Sequence, residues 1–71
     1  MEQITPITYE GKEYLQVLTV ARLLHLTPSN VHYYINKGML TKIDIEKASF
    51  IELTSVVQLN DYLAYRSKRN N

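Results

Sequence analysis

The sequence predicts an α+β fold: one small domain of three short helices, an N-terminal β-hairpin and a second β-hairpin between the last two helices. Three observations predict it. Residues 27–40, Thr-Pro-Ser-Asn-Val-His-Tyr-Tyr-Ile-Asn-Lys-Gly-Met-Leu, hold a helix start signal, a helical body and a stop signal within one short stretch. The run after the second helix alternates with the period of two that strands require, and the segment before the first helix holds two β-prone runs around a glycine. Finally, an apolar fraction of 45% with 21% charged residues is that of a folded globular chain, not a disordered one.

The N-terminal segment, residues 1–18, contains two β-prone runs around Glu10, Gly11 and Lys12, where the glycine permits a tight reversal. Pro6 cannot donate to a ladder, so the first strand is an edge or begins after it. Thr19 is a capping candidate for a first helix, in which Val20, Leu23 and Leu24 have helical spacing. Leu26 and Thr27 leave only a tight turn before the next helix. That second helix, residues 28–37, is capped by Thr27, with Pro28 where its fixed φ and missing N–H cost nothing. Val31, Tyr34 and Ile35 form its inner face at i, i+3 and i+4, and Gly38 closes it in the left-handed conformation. Residues 19–38 thus read as a helix-turn-helix.

From Thr41 the period becomes two. Ile43 and Ile45 alternate with Lys42, Asp44 and Glu46; Lys47, Ala48 and Ser49 turn the chain into Phe50 to Leu53, giving a wing over residues 41–53. Thr54 or Ser55 caps the last helix, residues 54–69, whose buried stripe is Val56, Leu59, Leu63 and Tyr62. Arg66, Lys68 and Arg69 complement the dipole at its end, and Asn70 and Asn71 are expected to fray.

Composition removes several function classes. A chain of 71 residues buries only about 60% of the surface it exposes unfolded, so its core is thin. The absence of cysteine excludes disulfides and thiolate metal sites. No apolar run has the length of a membrane span, and the N-terminus lacks the regions of a signal peptide, so the expected location is the cytoplasm. No cysteine nucleophile, phosphate-cradling glycine loop or Ser/His/Asp grouping is present, so no enzyme activity and no cofactor are expected. His25 and His32 lack the i, i+4 partner of a helical metal pair. The net charge of +1 is low for a nucleic-acid binder, which places the weight on how the charges are distributed.

Over about residues 14–65 the chain resembles the winged helix-turn-helix DNA-binding domains of the MerR type, including the small excisionase-like proteins of phages and mobile elements. The resemblance rests on Thr27-Pro28, Val31, Tyr33-Tyr34, Gly38 and Met39-Leu40, with Phe50-Ile51 in the wing. It implies that the second helix enters the major groove of double-stranded DNA and that the wing meets the backbone beside it. Carried across by position, Ser29, Asn30, His32, Tyr33, Asn36 and Lys37 face DNA, with Arg22 and Lys42 or Lys47 on phosphates. Asn30 or Asn36 is suited to read adenine, and Tyr33 or Ser29 to bond a phosphate.

Two positions depart from the family pattern: Ser29 and His32 stand where the family carries arginines, which implies a modest affinity for DNA alone. The chain also ends at Asn71, without length for the effector domain or dimerising helix of the family's activators, so no small-molecule effector is expected. The leading expectation is a small DNA-binding protein of a mobile element or phage, excisionase-like or a transcriptional regulator. The alternative is a non-catalytic adaptor subunit of a DNA replication or recombination enzyme, such as a polymerase, primase or recombinase. Exposed tyrosines at Tyr9, Tyr33 and Tyr65 suit a protein interface of that kind.

Overall fold

The computed structural model describes residues 5–69. The chain runs β1 (Ile7–Tyr9), β2 (Lys12–Gln16), α1 (Val17–Leu24), α2 (Pro28–Asn36), β3 (Lys42–Ile45), β4 (Ala48–Glu52) and α3 (Leu53–Arg69). Ile4 of the N-terminal run and the expected fraying of Asn70 and Asn71 lie outside the described residues, as do the side chains of Lys68 and Arg69.

The two hairpins are halves of one sheet. Its four strands are antiparallel and ordered β1-β2-β4-β3, so the seam between hairpins is β2 against β4, with Leu15 opposite Ile51. Cross-strand partners share a face, so Leu15 and Ile51 point together toward the helices. There they join Val20, Ala21, Val31, Leu40, Val56 and Leu59 in the buried core. On the opposite face the buried Tyr14 packs edge-on against Tyr9, ring centroids 6.5 Å apart.

Both hairpins turn through two residues with positive φ. Glu10 (φ 50°) and Gly11 (φ 79°) close the first; Glu46 (φ 49°) and Lys47 (φ 71°) close the second. Two left-handed residues match the twist of the strands they join. The second turn therefore falls earlier than the expected Lys47-Ala48-Ser49 reversal, and Ala48 and Ser49 are strand residues. The period of two allows either placement; the pairing of Ile45 with Ala48 decides it.

Helix α1 begins at Val17, and Thr19 lies inside it instead of capping it. Gln16 is the N-cap and supplies no side-chain hydrogen bond. The reason is burial: starting at Val17 adds that side chain to Val20, Ala21 and Leu24 as an i, i+3, i+4, i+7 stripe on the core. At its other end His25 adopts the left-handed conformation (φ 54°), and the Leu26 N–H donates to the Ala21 carbonyl at 2.8 Å.

Helix α2 follows the expected signals at both ends. The Asn30 N–H donates to Thr27 Oγ1 at 3.2 Å, and Pro28 occupies the first turn. Gly38 (φ 80°) reverses the chain, and the Met39 N–H donates to the Tyr34 carbonyl at 2.9 Å.

Helix α3 starts at Leu53, directly after β4, so neither Thr54 nor Ser55 is its N-cap. Ser55 is instead a buried junction: its hydroxyl donates to the Glu52 carbonyl at 2.7 Å and accepts from the Thr41 N–H at 3.1 Å. The Glu52 N–H returns a bond to the Thr41 carbonyl at 2.8 Å. The exit of α2 is thereby clamped to the strand–helix corner. Val56 and Leu59 are buried as expected and Leu63 is half-buried, but Tyr62 is 44% exposed and stands outside the stripe. Among the described residues no helix is long and apolar enough to cross a membrane.

Candidate nucleic-acid interface

Helix α2 divides cleanly between inside and outside. Val31 is fully buried, and Tyr34 and Ile35 are half-buried against the core. Ser29, Asn30, His32, Tyr33, Asn36 and Lys37 are all exposed. The six polar positions expected to face a ligand therefore form one continuous outer surface, fixed by a core face on the other side of the same helix.

Two aromatic contacts order the C-terminal half of that surface. The Tyr33 ring, 53% exposed, meets Tyr34 edge to face with centroids 5.2 Å apart. Lys37 lies one turn further on, with Nζ 5.5 Å from the centre of the Tyr33 ring. An ammonium over an aromatic face is held by the ring quadrupole while its hydrogen-bond donors stay outward. The lysine is thus positioned on the helix surface without being neutralised.

The distribution of charge supplies what the total does not. From residue 17 to residue 43 the chain carries Arg22, Lys37 and Lys42 and not one acidic residue. All seven acids lie outside that stretch, so the helix pair is a local cationic region on a chain whose remainder is net negative. The first turn of α2 is also free of acid, leaving the positive end of its dipole uncompensated.

The β3–β4 hairpin is a different case. Lys42 Nζ lies 3.7 Å from Asp44 Oδ1, and the Ser49 hydroxyl donates to the same oxygen at 2.8 Å. Lys47 is exposed at the tip beside Glu46. Each hairpin lysine therefore has an acid next to it, and the hairpin as a whole offers no excess positive charge. Of the nine candidate residues, the seven on the helices (Arg22, Ser29, Asn30, His32, Tyr33, Asn36 and Lys37) fall on two elements packed against each other. Lys42 and Lys47 are set apart on the sheet.

A second feature arises only where two helices meet. Between α1 and α3 runs a groove of about 240 Å³ lined by Leu23, Leu24, Leu53, Val56, Val57 and Asn60. Val57 is 52% exposed on its rim, and no residue of α2 lines it. The only signal for it is that Leu53 and Val57, at i and i+4, make a second apolar stripe beside the core-facing one. Among the described residues no three His, Asp or Glu side chains gather into a metal-binding group.

No family model, curated protein or solved structure matches the chain. What stands on its own is a small α+β protein of three helices and a four-stranded antiparallel sheet, with a polar, acid-free helical surface on one side.

Proposed function

We propose that the chain is a winged helix-turn-helix DNA-binding protein, excisionase-like or a small transcriptional regulator of a phage or mobile element. In this reading α1 and α2 are the helix-turn-helix, the β3–β4 hairpin is the wing, and α2 lies in the major groove. The observation that carries it is the outer face of α2, six exposed polar residues on a helix pair that carries Arg22 and Lys37 and no acid. A helix of that kind presents donors and acceptors to base edges without repelling phosphates. Asn30 and Asn36 are the adenine readers, Lys37 and Arg22 hold phosphates, and Ser29, His32 and Tyr33 fill the contact surface.

Affinity is modest because no arginine stands on α2 and the wing carries two lysines against three acids. Selection from a random double-stranded pool at low salt tests the proposal. A preferred site, with binding that weakens as salt rises, is expected; the absence of both overturns it.

The α1–α3 groove favours a second, compatible reading, an adaptor of a polymerase, primase or recombinase. The groove is apolar and lies off α2, so a protein segment seated there leaves the DNA surface open. Val57→Asp puts a charge on the groove rim without touching α2. It is expected to abolish co-purification with such an enzyme while leaving DNA binding intact.

A further inference from the structure

Asp44 is the first acidic residue after Glu13, and it ends the acid-free stretch just where the chain leaves the helix pair. Lys42 and Asp44 are two apart on β3, so the pleat sets both side chains on one face. Asp44 is opposite Ser49 in the register, and the Ser49 hydroxyl, donating at 2.8 Å, fixes the carboxylate oxygen that faces Lys42 Nζ at 3.7 Å. Lys42 follows Lys37 by five residues, within about 17 Å even if the connection were fully extended. The two lysines are thus close enough to meet phosphates of one duplex segment. Only Lys37 is free of a neighbouring acid: its ammonium lies over a neutral ring.

We infer that Asp44 competes internally with nucleic-acid phosphate for Lys42, and so sets the strength of the sequence-independent part of DNA binding. The inference rests on the DNA-binding reading. Coulomb energy falls as the inverse of distance, so a phosphate oxygen about 3 Å from the ammonium and about 6 Å from the carboxylate keeps only about half the attraction of an unopposed lysine. The ion pair is exposed, with side-chain accessibilities of 38% for Lys42 and 65% for Asp44. It therefore needs no burial cost to be undone, and removing the acid charge alone releases the lysine.

The test is Asp44→Asn, which keeps an oxygen to accept the Ser49 hydroxyl, measured with a mixed-sequence DNA duplex over a salt series. Thermal melting confirms that each variant is folded. Asp44→Asn is expected to tighten binding several-fold at low salt and to steepen the slope of log K against log salt by up to about 0.9, the value of one full phosphate contact. Lys42→Ala lowers the slope of the natural protein by less than it does in the Asp44→Asn background, where it removes the whole gain. An unchanged slope in Asp44→Asn overturns the inference. So does a gain that survives in the double variant, which would mean that Asp44 repels phosphate directly. Lys37→Ala separates the two levels: if it lowers the slope of the natural protein while Asp44→Asn changes nothing, DNA binding stands and only the role of Asp44 fails. Loss of all salt-dependent binding in the natural protein rejects both.

Discussion

Asn36 and Asn30 are side chains whose amides can accept and donate together, the pattern that reads adenine in the major groove. On the proposed function, Asn36→Ala should relax discrimination at one base pair by roughly 1 to 3 kcal/mol and leave binding to other sequences unchanged. Lys37→Ala should do the reverse, weakening every sequence alike and lowering the salt slope by about 1. Competition binding with single-base-pair variants, and a salt titration, check the two. At Thr27 the expected effect is on stability: its Oγ1 accepts from the Asn30 N–H, so Thr27→Ala should cost about 1 kcal/mol in urea unfolding. Thr27, Val31, Tyr34 and Gly38 were legible in the sequence because a cap and a helical face are set by neighbours within four residues. The pairing of Asp44 with Lys42 was within reach, since i and i+2 on a strand share a face. Its fixing by Ser49 was not, because it depends on which residue of β4 lies opposite.

The elements differ in how far local signals decide them. Helix α2 starts and stops where capping chemistry says. Its closing residue, Gly38, has φ 80° and open space where a Cβ would be. Gly38→Ala therefore meets no clash and should cost only the left-handed backbone strain, about 1 to 2 kcal/mol by chemical denaturation. The β3–β4 turn departs from its local signals, because Glu46 and Lys47 are both left-handed without a glycine or asparagine to mark them. Lys47→Gly should accordingly stabilise the protein by about 1 kcal/mol. If the melting temperature fell instead, Lys47 would be making a contact worth more than the strain it bears. Helix α1 shows a third case. Thr19 offered the better cap, yet the helix starts at Val17, because a half-buried valine packed on the core outweighs a capping bond at a junction where strand passes straight into helix.

For the whole molecule, the β2–β4 seam is what the sequence could not show. Each hairpin is legible from its own residues, but that Leu15 meets Ile51 depends on the intervening helices bringing the strands together. Ile51, fully buried, sits at the meeting of sheet and helices. Ile51→Ala should cost about 2 to 5 kcal/mol. Against a total stability on the order of 4 to 10 kcal/mol for a domain this size, that is a large fraction, and thermal melting followed by circular dichroism should show a markedly lowered midpoint. The same seam also sets an order of events in time. The α1–α2 pair and each hairpin join residues close in the chain, whereas Leu15 and Ile51 are separated by about half its length. Closing that distance has an entropic cost that local contacts do not share. Helix α2 and its turn can therefore form first, and zipping of β2 to β4 is expected to set the folding rate. Truncating Leu15 would slow refolding, while weakening the β1–β2 turn would mainly speed unfolding.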